Sequence, residues 1–305
     1  MNVQELPLVA FTILAQLSVG SFVVLGLVQL FAGRKADADA VDRLTDPALY
    51  AIGPAMVLGL IASLAHLGTP LNALHTITNA QTSWLSREIL FGVSFAALGA
   101  AFAVAQWFKW LTPVLRRVLA GVTAVVGLGL VYVMSMVYML PTVPAWDTWV
   151  TPVSFFTTTA LLGALAVGAA FVTVWAIRAR RGGSDESTTA LLRTSLRGIA
   201  LSSIALLGVE FVVLPTYLLT LSNNTTAAAH TSLSALMVAG GAVFTLRVAL
   251  VFLGAGLLGF FLYRSTTAGR ERYLVHLATS AFALVLVSET LGRMLFYSSL
   301  VHIGL

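Results

Sequence analysis

Eight apolar runs, each about long enough to cross a hydrocarbon core of roughly 30 Å, constrain this chain more than any other feature. They fall near residues 7–32, 47–68, 87–110, 115–140, 152–177, 197–221, 236–263 and 274–303. A backbone in lipid finds no water for its N–H and C=O groups, and segments of this length satisfy those groups internally only as helices. The sequence therefore predicts an all-α, polytopic integral membrane protein of eight transmembrane helices, one membrane domain over 1–305. Composition agrees, because 58% of the residues are hydrophobic and only 10% charged, against roughly 25% charged in an average soluble domain. The chain has no cysteine, which excludes iron-sulfur clusters, thiolate metal sites and disulfides within it. The first run lacks a basic leader and an A-x-A-like cleavage site, so it reads as a retained span.

Orientation follows from the 17 Lys and Arg residues. The first, third, fifth and seventh connections hold Arg34, Lys35 and Arg43; Lys109, Arg116 and Arg117; Arg178, Arg180, Arg181, Arg193 and Arg197; and Arg264, Arg270 and Arg272. The second, fourth and sixth hold none. By the positive-inside tendency the basic connections are cytoplasmic and both termini extracytoplasmic. In a membrane chain the net charge of +5 reports this asymmetry, so it is no argument for nucleic acid. All six tryptophans, Trp84, Trp107, Trp110, Trp146, Trp149 and Trp175, fall at helix ends or in short loops, as an interfacial belt requires. The segment Arg178–Ser195 reads as a Gly/Ser/charged linker that divides the helices four plus four, near residues 178–196.

Three arginines remain, Arg87, Arg247 and Arg293, together with Glu88, Glu210 and Glu289 in or at the spans. Such groups are costly in a membrane and mark functional sites. On this orientation His66 closes the second helix at the outer face, before the stop signal of Gly68 and Pro70, and Arg87 and Glu88 open the third there. The negative end of the helix dipole favours a protonated imidazole, which suits His66 to accept a proton. Glu289 and Arg293 stand i, i+4 on one helix face, and Gly292 beside them leaves room for a neighbour or ligand. Each has a plainer reading: Glu289 and Arg293 as mutually neutralising glue, Arg87 as a snorkelling anchor, His66 as an interfacial residue. Glu210, with Pro215 after it, is left unassigned, and His75 and His230 read as solvated. The segment GAGLLG at Gly254–Gly259 fits a dinucleotide pattern, but it lies inside an apolar span and reads as a packing face of small residues. Asn223 and Asn224 match the N-glycosylation pattern in an outer connection.

A proton acceptor, carboxylates and apolar walls are what oxidation of a quinol requires. The electrons must then leave for a partner. HLGTP at His66–Pro70, SREI at Ser86–Ile89, TVPAW at Thr142–Trp146, TPVSFF at Thr151–Phe156, LRV at Leu246–Val248 and SETLGRMLFY at Ser288–Tyr297 together resemble the membrane anchor subunit of the dimethyl sulfoxide reductase family. This is the DmsC type, within a wider group of quinol-interacting anchors related to the NrfD type. The resemblance spans the second to eighth helices in order and is weakest in the connections.

The resemblance implies a haem-free subunit of the cytoplasmic (inner) membrane that binds menaquinol in anaerobic respiration. It would pass electrons to a ferredoxin-like iron-sulfur subunit and on to a molybdenum bis-guanine-dinucleotide catalytic subunit. The quinol-site histidine and glutamate of that family match His66 and Glu88, and its seventh-helix arginine matches Arg247. His66 is then the first proton acceptor and Glu88 a relay or second contact, with Arg247, Glu289 and Arg293 as quinol-binding groups. Two other readings stand beside it. A b-type cytochrome would use His66 and His302 as axial ligands, and an ion-coupled transporter would bind its substrate at the buried Glu and Arg residues.

Overall fold

In a computed structural model the described residues are 6–32, 38–66, 79, 81–182, 185–267 and 273–304, with the side chains at 32, 38–40, 63–66 and 267 outside the description. Eight helices among them are long and apolar enough to cross a membrane. The first is Leu6–Ala32, the third Trp84–Trp107, the fourth Pro113–Val137, the fifth Val150–Arg180, the sixth Glu186–Ser222 and the eighth Leu274–Ser298. The second is built from Ala38–Ile52 and Pro54–His66, separated at Gly53 because Pro54 disfavours helical geometry in the residue before it. The seventh runs Gly241–Val251, then a π-helical stretch Phe252–Leu258, then Gly259–Thr267. Before it come a short helix, Ala227–Ser234, and a π turn, Ala235–Ala239.

Helix starts differ from the apolar runs where a cap stands upstream. The Ser83 side chain accepts from Ser86 N, so the third helix begins at Trp84 and places Arg87 and Glu88 one turn inside it. Thr112 caps the fourth in the same way, with Pro113 in its first turn. Asp185 caps the sixth, which therefore covers 37 residues. Most of the segment read as a linker, Arg178–Ser195, is thus helical, and it carries Arg193 on a helix of which Thr188, Leu191 and Leu192 are buried. The seventh span, read as one continuous helix, is interrupted by π geometry. GAGLLG falls in the second π stretch and is a packing face: a Cβ on Gly254 would meet Val285 Cγ2 at 2.7 Å, and one on Gly256 would meet Leu207 Cδ2 at 2.9 Å.

The first and fifth helices form the centre, with 72% and 56% of their hydrophobic windows buried. They cross at Gly20 and Gly163, where a Cβ on either residue would overlap the other helix's backbone. In a bilayer, where apolar side chains gain little by leaving lipid for protein, such close backbone approach is a main source of helix association. Thr12, Gln16, Ser18 and Ser21 of the first helix are buried, and Gln16 donates across this seam to the Phe155 carbonyl.

The two ends of the bundle are held differently. At the end opposite the termini, Lys109 pairs with Asp42 at 2.9 Å and Asp46 at 3.1 Å, and Arg43 pairs with Asp185 at 2.8 Å. At the terminal end the backbone N–H of Ile303 donates to the Thr142 carbonyl at 2.9 Å. The aromatic belt holds for Trp84, Trp107, Trp110 and Trp149, which are exposed. Trp146 does not belong to it: it is buried, stacks on Phe296 at 5.1 Å and donates to the Phe296 carbonyl. Trp175 donates to Thr189 Oγ1 at 3.1 Å.

Candidate functional site

The fifth, sixth, seventh and eighth helices enclose a cavity of about 100 Å³ in the half of the bundle nearer the termini. Its charged walls are Glu210, Arg247, Glu289 and Arg293, and its hydroxyl-bearing wall is Thr151, Ser154, Thr157 and Thr158 of the fifth helix. Arg247 stands at the centre. Its Nη2 lies 3.4 Å from Glu210 Oε1 and 3.9 Å from Glu289 Oε1, so one guanidinium faces two carboxyls. The place it occupies exists because residue 292 is glycine: a Cβ there would sit 2.8 Å from the Arg247 Cζ and 3.0 Å from its Cδ. Ser288 donates to the Arg247 carbonyl at 2.8 Å and ties the seventh helix to the eighth at this level.

Glu289 accepts from Thr158 Oγ1 at 2.6 Å through Oε2, while its other oxygen, Oε1, has no hydrogen-bond partner among the described residues. Arg293 donates to Gln16 Oε1 at 3.0 Å and lies over the Phe155 ring at 3.7 Å, and its Nε likewise has no partner there. Gln16 in turn donates to the Phe155 carbonyl at 3.2 Å. The i, i+4 spacing of Glu289 and Arg293 thus serves different neighbours: Glu289 turns to Thr158 and Arg247, Arg293 to the first and fifth helices. Both residues are nearly fully buried, at 2% and 5% exposed. A buried acceptor and a buried donor therefore border one cavity, each with hydrogen-bonding capacity to spare. Groups of this kind carry a large desolvation cost unless something pairs with them.

Glu88 belongs to a second polar centre. It is buried, at 5% exposed, and its Oε1 has no hydrogen-bond partner among the described residues. It lies within Coulombic reach of Tyr138 and Tyr297, whose hydroxyls are 2.8 Å apart, and Arg293 lies within reach of the same pair. The two tyrosines thus neighbour both Glu88 and a residue of the cavity wall. Arg87 donates to the Gln81 carbonyl at 2.6 Å and lies over the Trp84 ring at 4.3 Å. His66 ends its helix at the terminal end of the bundle, and its side chain lies outside the described residues, as does His75.

Three expected residues, Arg247, Glu289 and Arg293, are therefore brought together, and Glu210 joins them. Thr158, Gln16, Tyr138 and Tyr297 are neutral and had no signal of their own. Gln16 is one of two glutamines in the first apolar run, and the hydroxyl-rich TPVSFFTTT at Thr151–Thr159 lines one helix, the two hints available. Among the described residues no group of three or more His, Asp or Glu is placed to hold a metal ion.

The family described as DMSO reductase anchor subunit (DmsC) matches residues 1–299. The C subunit of the anaerobic dimethyl sulfoxide reductase of Escherichia coli (strain K12) is 30% identical, covering 99% of this chain and 96% of that protein. The YnfH subunit of an anaerobic dimethyl sulfoxide reductase in the same organism is 29% identical over the same shares. The C subunit of the anaerobic dimethyl sulfoxide reductase of Haemophilus influenzae (strain ATCC 51907 / DSM 11121 / KW20 / Rd) is 33% identical over 52% of this chain and 56% of that protein.

Proposed function

Because the chain belongs to the family of DMSO reductase anchor subunits, we propose that it is the membrane anchor of a molybdoenzyme reductase and oxidises menaquinol for anaerobic respiration. Its partners are a ferredoxin-like iron-sulfur subunit and a molybdenum bis-guanine-dinucleotide catalytic subunit, and its place is the cytoplasmic membrane with both termini outside. The observation that supports a quinol site best is that two buried atoms of residues on one cavity, Glu289 Oε1 and Arg293 Nε, have no hydrogen-bond partner among the described residues. A phenolic hydroxyl both donates and accepts, so it satisfies the carboxylate with its proton and the guanidinium with its oxygen.

Oxidation of a quinol supplies two electrons, which leave for the iron-sulfur partner, and two protons, which this chain must take. Arg247 holds Glu210 and Glu289 in place and keeps the cavity's charge near balance. The hydroxyl pair Tyr138–Tyr297 joins the cavity side to Glu88. Glu88, with His66 at the same end of the bundle, is assigned the proton-accepting role there. Phe296 lines the cavity, and the Phe155 and Phe296 rings lie against the Arg293 guanidinium.

Replacing Glu289 with glutamine tests this in the assembled complex. Quinol-driven reduction of the terminal substrate should fall by roughly ten- to a hundredfold, as for loss of a hydrogen bond to a charged group. Reduction driven by a soluble artificial donor should persist, because the partner subunits are untouched. Unchanged quinol-driven turnover would overturn the assignment.

A further inference from the structure

The cavity adjoins a second, larger space. An apolar groove of about 1440 Å³ runs between the first and sixth helices across the face of the fifth. Thr157 lines both spaces. The junction is wider than that one residue: Val153 and Leu206 line the groove where Ser154 and Glu210, one position and one helical turn on, line the cavity. From Leu206 the groove follows the sixth helix down to Ser187, a length of about 28 Å at 1.5 Å per residue, about half of it along the apolar run that starts near residue 197 and the rest along the helix's polar first turns. On the first helix it runs from Gly20 to Phe31. The sixth helix faces it with small side chains every fourth residue, Ala190, Thr194, Gly198 and Ser202, which keeps it open along its length.

A space with a hydrogen-bonding pocket at one end and a long apolar trough leading away from it matches one kind of occupant: a molecule with a small polar ring and a long hydrocarbon tail. Resting on the quinol reading above, we propose that the groove between the first, fifth and sixth helices holds the isoprenoid tail of the quinol whose ring occupies the Arg247–Glu289–Arg293 cavity. The direction is set by the junction. The polar end lies in the half nearer the termini, at Glu289 and Arg293, and the tail points toward the opposite face. A phospholipid would lie differently, since its charged headgroup belongs at the membrane surface, whereas the junction lies about two turns inside the fifth helix, beside buried charged side chains. The groove also gives the quinol a lateral way in from the bilayer, because the sixth helix has only 17% of its hydrophobic window buried.

Two measurements on the assembled complex in lipid nanodiscs decide this. In the first, a naphthoquinone with a diazirine at the far end of its isoprenoid tail is photolysed in the wild-type complex. Label is expected around Phe31, Ala190 and Thr194, and excess unlabelled menaquinone should abolish it. Label elsewhere, or label in the groove that unlabelled quinone leaves unchanged while a diazirine-bearing phosphatidylethanolamine marks the same residues, would overturn the proposal and make the trough a lipid site. In the second, Gly198→Leu puts a side chain into the groove at a position where an added Cβ meets nothing within 4 Å, so the fold tolerates it. KM for a long-tailed quinol should rise severalfold, because the leucine side chain displaces the tail from its packing contacts in the groove. KM for a tail-less naphthoquinol should not move. An equal rise for both quinols, or none for either, counts against the groove. If the wild-type complex oxidises neither quinol, the functional reading fails on its own, and photolabelling still decides what the groove holds.

Discussion

Arg247 shows how much a single missing side-chain atom can determine. Its guanidinium rests where a Cβ on residue 292 would be, so Gly292→Ala should push it away from Glu210 and Glu289. Removing one partner from a buried ion pair costs about 3–5 kcal/mol, and a displaced arginine should cost part of that. The variant complex should therefore melt earlier and lose quinol-driven turnover, whereas Gly208→Ala, which meets nothing within 4 Å, should do neither. A second expectation concerns the outer proton acceptors. His66→Leu and Glu88→Gln should each abolish quinol-driven reduction and spare reduction by a soluble artificial donor, the glutamine less completely because it keeps shape and hydrogen bonding. Arg87→Gln should do less than either, since Arg87 faces Trp84 and the Gln81 carbonyl. Loss of both activities would make His66 or Glu88 a residue needed for assembly. At this scale the sequence showed the charged members of the site, because a charge in an apolar run stands out. It did not show their pairing: the i, i+4 spacing of Glu289 and Arg293 suggested a mutual pair, and tertiary neighbours drew them apart.

Among the elements, the sixth helix carries the clearest case of local chemistry setting a boundary. Asp185 caps it, and hydrogen bonding from Thr188 above all, with Ser187 and Arg43, pulls the carboxyl pKa down to about 2. A carboxyl whose folded pKa is depressed adds stability above its unfolded value, near 3.9, and loses it as pH falls toward 2. The melting difference between wild type and Asp185→Ala should thus be present at pH 7 and shrink between about pH 4 and pH 2. It should be small throughout, since the group is exposed and screened. A difference that grows on acidification would mean that the cap acts otherwise. The polar first turns of this helix and of the second were missed as helix because they form no apolar run, although capping and amphipathic packing hold them. The π stretches of the seventh helix were missed for another reason: one extra residue in a turn leaves the apolar composition unchanged, and composition was the signal being read. Such stretches occur mostly where a helix serves a site, and Arg247 lies between the two.

For the whole molecule, eight spans were legible because length and hydropathy alone specify them, and the structure has all eight within a few residues of the apolar runs, apart from the polar turns at helix starts. Sidedness rests on charge. Reporters fused after Phe31, Lys109, Arg181 and Arg270 should be cytoplasmic, and those after Ala80, Trp146 and Asn224 outside. One internal reporter on the wrong side would require spans to be merged or split. Protease added to either face of the assembled complex should then digest the partner subunits from the outside, the face nearer the cavity. The central seam has a further consequence, for synthesis. Gln16 finds its acceptor on Phe155, 139 residues later, and Gly20 meets its counterpart at Gly163. While the chain is being made, the first helix enters the bilayer long before the fifth exists. The Gln16 amide, hidden in the finished bundle, must meanwhile face lipid or an insertion factor. A nascent chain stalled after the fourth span would leave that amide without the Phe155 carbonyl, a mark by which membrane quality control can tell an unfinished anchor from a complete one.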